Sequence, residues 1–292
     1  MREKVVISCA LALLAVLMLP AAFAADGPPN LGNAAVCGED GDSRWFVDAR
    51  FFETGAGDED WDNATYSIGF QAPINYHTDF ILGYSAMDAV GPNPINDAIR
   101  KSDRDVLTVG VKRRISGEKS NPTWALTIGA DVEAGGDTKG MNTVLGASAF
   151  QKTVTPAAKL QVEFGNPGRF QFQVAGQVAW WDTMLPCDNG TVIAGYGTVV
   201  GVGGGVVWPF SSRLSLMGDA MVCVDGENVV MADNTLDDEV VWSAGGIYRF
   251  KDKNDTTLSV YATNSMSPTL AGSIIAASED SLALGIALRR SL

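Results

Sequence analysis

Residues 169–180, Arg-Phe-Gln-Phe-Gln-Val-Ala-Gly-Gln-Val-Ala-Trp, are the stretch that decides the fold. Apolar side chains occupy positions 170, 172, 174, 178 and 180, and glutamines occupy positions 171, 173 and 177. Alternation with a period of two is typical of a β-strand that has one apolar and one polar face. The same alternation recurs at 124–133 and 159–164, whereas no segment of useful length has a helical period. The sequence therefore predicts an all-β protein.

The alternation fits two kinds of β-protein. In a soluble barrel or sandwich the apolar face points inward and the polar face meets water. In a membrane barrel the apolar face meets lipid and the polar face lines the lumen. Alternation alone does not separate these alternatives, so the number of strands and the lengths of the links must.

Short and long links between the predicted strands alternate along the chain. Short links are predicted at 73–78, 116–122, 166–169, 209–213 and 251–255, and long links at 55–63, 88–105, 134–156, 182–197, 225–239 and 265–280. Outer-membrane barrels have such a layout, with short periplasmic turns and long external loops. The fold prediction is a transmembrane antiparallel up-and-down β-barrel of about 12 strands.

Two stretches leave alternatives open. Residues 191–210 are almost entirely apolar and are long enough for a transmembrane helix. They contain several glycines, each costing a helix about 1 kcal/mol relative to alanine, so a barrel strand fits better. In the long link 134–156, residues 144–151 could form an additional strand, which would change the strand count.

Aromatic residues on the apolar faces gather beside the short links. Phe70 and Phe80 flank the first short link, Phe164 and Phe170 the third, and Trp208 and Phe210 the fourth, while Tyr248 and Phe250 precede the fifth. Such a gathering predicts an interfacial girdle at headgroup depth. The alternative is a hydrophobic plug that closes one end of a soluble barrel.

The N-terminus has the pattern of a secretory signal peptide. Arg2 and Lys4 precede an apolar run over 5–20, and Ala22-Phe23-Ala24 supplies the small residues of a cleavage site. An uncleaved anchor is the alternative, but the run is short for one. We predict a signal peptide at 1–24, a flexible periplasmic N-terminal segment at 25–43 and the barrel at 44–292.

The net charge of the chain argues against nucleic acid as a partner. With a net charge of -13, the chain is a poor ligand for nucleic acid, whose phosphates would repel it.

Cys37, Cys187 and Cys223 remain after cleavage, and export permits disulfides. Cys187 and Cys223 both fall beside predicted external loops, so a disulfide between them is a hypothesis.

Acidic clusters at 58–62 and 233–239 match no calcium-loop template and are interpreted as solvated loops, so no metal or cofactor is predicted.

Catalytic patterns are weak. The catalytic designs that barrel enzymes use rest on a histidine, and His77, the single histidine of the chain, is predicted to lie in a short turn. The glycine-rich run 201–206 lacks the last glycine of the dinucleotide fingerprint. We therefore predict that the protein is not an enzyme.

The chain resembles the bacterial outer-membrane β-barrel (porin-like) superfamily. The resemblance rests on the signal peptide ending at Ala24, the alternating strands and the apolar terminal strand 282–288. It implies residence in the bacterial outer membrane, contact with outer-membrane lipid and lipopolysaccharide, and delivery by the barrel-assembly machinery. The sequence predicts no oligomeric state.

The polar faces of the predicted strands form a candidate lumen lining with charges of both signs. Its members are Asp48, Arg50, Gln71, Asp79, Lys112, Arg114, Asp131, Glu133, Lys159, Gln161, Glu163, Gln171, Gln173, Gln177, Asp219, Arg249 and Arg289. They could line an aqueous pathway for passive diffusion of small polar solutes, which is the leading hypothesis. Alternatively they could fill a closed barrel with a structural or surface-binding role, or the chain could be a soluble exported β-protein.

Overall fold

The described part of the chain contains sixteen strands and one short 3-10 helix (Gly272–Ile274), and twelve of the strands form one barrel. The computed structural model describes residues 43–53, 63–88, 104–116, 124–137, 153–164, 170–181, 184–186, 192–194, 196–231, 236–250, 256–277 and 281–292. The strands are β1 (Arg44–Phe52), β2 (Asn63–Asn75), β3 (Thr78–Asp88), β4 (Arg104–Ser116), β5 (Trp124–Asp137), β6 (Thr153–Phe164), β7 (Gln171–Trp180), β8 (Met184–Pro186), β9 (Val192–Ala194), β10 (Thr198–Pro209), β11 (Leu214–Asp225), β12 (Val229–Val230), β13 (Leu236–Asp237), β14 (Val241–Arg249), β15 (Thr257–Thr263) and β16 (Ala283–Ser291).

The barrel is closed by its first and last strands. Its order is β1-β16-β15-β14-β11-β10-β7-β6-β5-β4-β3-β2, and β1 pairs with both β16 and β2. All these pairings are antiparallel, and the closing register runs from Arg44 opposite Ser291 to Phe52 opposite Ala283. The hairpins β8–β9 and β12–β13 are separate from the ring. The predicted twelve-stranded up-and-down barrel is therefore confirmed.

The links within the described part of the chain lie at opposite ends of the barrel according to their length, as predicted. Residues 76–77 and 210–213 make short turns at one end, called here the short-turn end. The hairpins β8–β9 and β12–β13 belong to long connections at the other end, the long-loop end. The apolar stretch around residue 200 is strand β10 rather than a helix. β5 pairs directly with β6, and residues 144–151 lie outside the described part of the chain.

Within the residues that the structure describes, no helix is long and apolar enough to cross a membrane.

The barrel is apolar outside and polar inside. On β4, Val109 points outward and is 42% exposed, whereas the adjacent Thr108 points inward and is 4% exposed. The same alternation places large apolar side chains on the outer face of the other barrel strands whose side chains are described. Soluble monomers rarely expose apolar patches of more than a few hundred Å². An apolar belt on strand after strand therefore favours the membrane barrel over the soluble one.

Aromatic rings occupy the outer face at the short-turn end. Phe164 packs against Phe172 with ring centroids 6.3 Å apart, and Tyr248 packs against Phe250 at 5.0 Å. Trp208, Phe210 and Phe170 are exposed at the same end. Their outward position fits the predicted interfacial girdle and disagrees with a plug inside the barrel.

A charged residue on the outer face should destabilise the barrel according to its depth. Val109 lies at the middle of β4 and Ile115 lies near its short-turn end, and both side chains point outward. We expect Val109→Arg to lower the free energy of unfolding by about 2–4 kcal/mol and Ile115→Arg by about 0–1 kcal/mol. Urea titration of the chain refolded into lipid vesicles measures both values. Equal losses for the two variants would contradict the assigned membrane depth.

Candidate functional site: the barrel lumen

The structure places the described members of the candidate lumen lining on the inner face of the barrel. Those that are buried are Asp48, Arg50, Asp79, Arg114, Gln161, Gln171, Gln173, Gln177 and Asp219, and those that are half-buried are Gln71, Lys112, Lys159, Glu163, Arg249 and Arg289. Asp131 and Glu133 belong to β5, whose side chains lie outside the described part. The role of these residues in a conducting pore stays a prediction.

Neighbouring strands on the polar side of the lumen are joined by side-chain hydrogen bonds. The amide of Gln161 donates from Nε2 to Oε1 of Gln173 at 2.8 Å, and Nε2 of Gln171 donates to Oε1 of Glu163 at 3.1 Å. Both bonds join β6 to β7. The glutamine face that predicted this strand thus supplies cross-strand pairs inside the barrel.

A buried ion pair with a tyrosine lies on the wall formed by β1, β16 and β15. Nε of Arg50 donates to Oδ1 of Asp48 at 3.1 Å and to the hydroxyl oxygen of Tyr261 at 3.2 Å. The Tyr261 hydroxyl in turn donates to Oδ2 of Asp48. Arg50 is 0% exposed and Asp48 is 2% exposed, and such a buried pair persists when further hydrogen bonds satisfy its members.

Glycine on the neighbouring strand allows the position of Tyr261. A Cβ atom added at Gly285 would lie 2.2 Å from Cζ of Tyr261, so the ring rests directly on the β16 backbone. The Arg50 guanidinium carbon lies 5.7 Å from the centre of the same ring. Tyr261 is absent from the predicted lumen lining, because that prediction contains only the charged and amide residues of the alternation.

Residues 264–277, which connect β15 to the segment before β16, fold into the barrel and are called the lumen segment. Nη1 of Arg50 donates to both the carbonyl and the hydroxyl oxygen of Ser265 at 2.9 Å. On the other side, Nε2 of Gln177 donates to the carbonyl oxygen of Leu270 and to the hydroxyl of Ser273. Arg50 lies on β1 and Gln177 on β7, and these strands stand opposite each other in the twelve-strand ring. The lumen segment therefore crosses the lumen.

Apolar packing around the lumen segment closes the long-loop end of the lumen. Met266, Ile274 and Ile275 are completely buried. Their hydrophobic cluster includes wall residues from all around the ring: Phe52, Val106, Ala157, Ala175, Ala179, Val199, Met221, Cys223 and Ala283. A Cβ atom at Gly201 would lie 2.7 Å from Cδ1 of Ile274, so glycine on β10 makes room for this side chain.

Two buried asparagines connect the two ends of the lumen segment by hydrogen bonds to the β11–β14 connection and to β14. Nδ2 of Asn228 donates to the carbonyl oxygens of Ile274 and Glu239, each at 2.9 Å. Oδ1 of Asn264 accepts from the backbone N–H of Trp242 at 2.8 Å. Ser265 and Ala276 form an antiparallel bridge, and the N–H of Met266 donates to Ile275 at 2.9 Å. The two ends of the lumen segment thus form a small hairpin that is stabilised by several hydrogen bonds.

Several inner-face groups have no hydrogen-bond partner among the described residues. They are Oγ1 of Thr108, Oγ1 of Thr155, Nε2 of Gln173, Oγ of Ser243 and Oγ1 of Thr257. A buried polar atom without a partner costs about 1–3 kcal/mol. All of these atoms lie on the polar inner face of the barrel wall.

Two further candidates from the sequence are the turn residue His77 and the disulfide between Cys187 and Cys223. His77 lies in the turn between β2 and β3, exposed and edge-on to Tyr76 at 4.7 Å, which is the predicted position. Cys223 is a buried free thiol 3.4 Å from the carbonyl oxygen of Asp225, and Cys187 lies outside the described residues. The disulfide between these cysteines gains no support and stays a prediction. No group of three or more potential metal ligands occurs in the described ranges.

Comparison with known proteins gives a likeness in structure. No protein-family model matches the chain, and no curated protein matches its sequence. A NanC porin structure has a TM-score of 0.50 and 8% identity, covering 85% of this chain and all of that one (100%). An outer-membrane channel from Pseudomonas putida F1 has a TM-score of 0.49, 11% identity and coverages of 86% and 96%. A FadL homologue from Pseudomonas aeruginosa has a TM-score of 0.46, 10% identity and coverages of 93% and 99%.

Identities this low concern the fold alone. The closed ring, the outward apolar belt and the match to the NanC porin agree with one another. The chain therefore has the fold of the bacterial outer-membrane β-barrel porins and channels.

Proposed function

We propose that this protein is a channel of the bacterial outer membrane that passes small polar solutes by passive diffusion. The observation that carries the proposal is the inner wall, where charged, amide and hydroxyl side chains face the lumen on strand after strand while the large apolar side chains face outward. Polar and charged side chains that line a lumen support an aqueous pathway and set its selectivity.

The lumen segment holds the channel closed in the present arrangement. Its three fully buried apolar side chains, Met266, Ile274 and Ile275, each stabilise the inward position by about 1.5–3 kcal/mol relative to exposure. Hydrogen bonds from Arg50 and Gln177 add to this. Passage of solutes then requires the segment to move, or to leave a path beside it.

The closed barrel with a structural or surface-binding role is the second candidate. The apolar cluster that joins the lumen segment to β1, β4, β6, β7, β10, β11 and β16 favours it, because dry packing across a lumen blocks polar solutes. The two candidates differ in one measurable property, which is ion conductance with and without the lumen segment.

Shortening the lumen segment should open the channel. The variant replaces residues 267–274 with Asn-Gly, a sequence suited to a two-residue turn between Met266 and Ile275, which already share a backbone hydrogen bond. We expect the wild type to be nearly silent in planar bilayers and the shortened variant to give stepwise conductance. Heat-dependent mobility on a gel checks that both chains form the barrel.

Either of two results would change the interpretation. Silence of both proteins, with the barrel intact, would overturn the channel and favour the closed barrel. Equal conductance of both proteins would keep the channel and remove the lumen segment as its restriction.

Loss of one anchor should loosen the closed state without removing the segment. Gln177→Ala removes the hydrogen bonds to Leu270 and Ser273 and should shift the open-to-closed ratio by about 1–2 kcal/mol, or roughly five- to thirty-fold. Gln171→Ala is the matched control, because Gln171 lies on the same strand and face but bonds to Glu163 instead. Single-channel recording measures the open fraction, and equal effects of the two substitutions would argue against Gln177 as an anchor.

A further inference from the structure

The outer face at the short-turn end carries positive charge although the chain as a whole is acidic. On the half of the outer face nearest the short turns, the charged residues with described side chains are arginines: Arg113 on β4, Arg290 on β16 and Arg213 in the turn between β10 and β11. The whole chain has a net charge of -13, so composition does not explain the sign of this charge. A lipid-facing arginine is costly at the middle of the membrane and is tolerated near the interface, where the headgroups lie.

Arg213 is held against an aromatic pair of the girdle. Its Nη1 donates to the hydroxyl oxygen of Tyr248 at 3.3 Å, and Tyr248 packs edge-on against Phe250 with ring centroids 5.0 Å apart. The backbone N–H of Arg213 donates to Oγ of Ser211 at 3.2 Å, and its carbonyl oxygen accepts from the N–H of Arg249 at 2.7 Å. Because the backbone is bonded on both sides, the guanidinium has a defined place on the outer surface of the barrel.

Most of the hydrogen-bonding capacity of Arg213 and Tyr248 is left unused by the described residues. A guanidinium has five N–H donors, and the Tyr248 hydroxyl takes one of them. That hydroxyl accepts the bond, so its own hydrogen is left for a second acceptor. Arg213 is exposed, and no carboxylate in the described ranges forms an ion pair with it. The two residues therefore offer a cation and a hydroxyl, at the depth of the girdle, to an acceptor that carries negative charge.

A strip of small residues runs from this site toward the middle of the membrane. Gly246 and Ala244 are the next outward residues of β14 after Tyr248, and Gly218 of β11 pairs with Ala244. A Cβ atom at Gly246 would meet only the carbonyl oxygen of Ser215, at 3.8 Å, so no side chain covers this position. Four residues of strand span about 14 Å, close to the hydrocarbon thickness of one leaflet, about 15 Å. The strip thus gives one acyl chain a shallow seat beside the arginine.

We propose that Arg213 and Tyr248 bind the phosphate of an anionic phospholipid in the leaflet at the short-turn end, with one acyl chain along the strip. Arginine matches phosphate oxygens with two parallel hydrogen bonds, and the Tyr248 hydroxyl donates a third. The aromatic girdle and the strip point to a lipid rather than to free phosphate, because they contribute nothing to the binding of a soluble anion. The proposal stands apart from the channel, since the outer face takes no part in the passage of solutes.

Lipid binding to the detergent-folded chain tests the site, and native mass spectrometry measures the dissociation constant. Three probes share the same two acyl chains: phosphatidylglycerol, phosphatidylcholine, whose choline compensates the phosphate, and diacylglycerol, which lacks the phosphate. We expect phosphatidylglycerol to bind about fivefold more tightly than phosphatidylcholine, because one arginine faces an uncompensated charge. Equal binding of all three probes would overturn the phosphate site.

Substitutions at the two residues separate the charge from the hydroxyl. Arg213→Gln should weaken phosphatidylglycerol binding by about fivefold and leave diacylglycerol binding unchanged. Tyr248→Phe keeps the ring and should weaken phosphatidylglycerol binding by about threefold, because one hydrogen bond to the phosphate is lost. Arg213→Lys keeps the charge without the paired donors and should fall between the wild type and Arg213→Gln. Wild-type affinity of Arg213→Gln for phosphatidylglycerol would contradict the proposal.

Arg44→Gln is the matched control. It removes the same charge at the same end of the barrel, but Arg44 is 6% exposed and lies on the inner face, opposite Gln71. It should bind phosphatidylglycerol like the wild type, and a loss equal to that of Arg213→Gln would replace the site with general attraction of anionic lipid. Excess inorganic phosphate should leave the lipid bound, whereas displacement would make the ligand a soluble anion and overturn the lipid as occupant. Heat-dependent mobility confirms folding of each variant.

Discussion

Every barrel strand faces a medium on its outer side that offers no hydrogen bonds, and this constraint shapes the rest of the structure. A backbone N–H or C=O left without a partner in hydrocarbon costs several kcal/mol, so a sheet in lipid must have no edge. The pairing of β1 with β16 removes the edge. Closure then creates an interior, and the polar residues excluded from the outer face occupy it.

The interior is divided along its axis. Toward the long loops, the lumen segment and the wall residues around it form a dry apolar cluster. Toward the short turns, arginines and half-buried polar residues predominate. Buried Arg50 belongs to both regions, because it pairs with Asp48 on the wall and bonds to Ser265 of the lumen segment. A single guanidinium thus couples the wall to the element that closes the lumen.

The sequence predicted the wall well and the lumen segment not at all. Alternation is a local property, so Gln173 or Lys112 could be assigned to the inner face from its neighbours alone. The number and order of strands followed from the spacing of turns, which is also local. The inward path of residues 264–277 depends on contacts with Gly201, Gln177 and Arg50, which are distant in sequence. The composition of the segment, small and apolar with serines, resembles that of an ordinary loop. The pairing of Thr257 with both Arg249 and Arg289 likewise depends on the register of three strands, which the periodicity of a single strand does not provide.

The pairing of β1 with β16, in which Arg44 lies opposite Ser291, also bears on the order in which the barrel strands assemble. Contacts between residues so far apart in sequence form slowly, because a long stretch of chain must be ordered before they form. Until β16 arrives, β1 and β15 expose unpaired edges, which are templates for aggregation. β16 also carries Gly285, against whose backbone the Tyr261 ring packs. Pairing of β16 with β1 and β15 therefore completes the wall and encloses its interior together, and a folding catalyst that guards the open edges would act on that step.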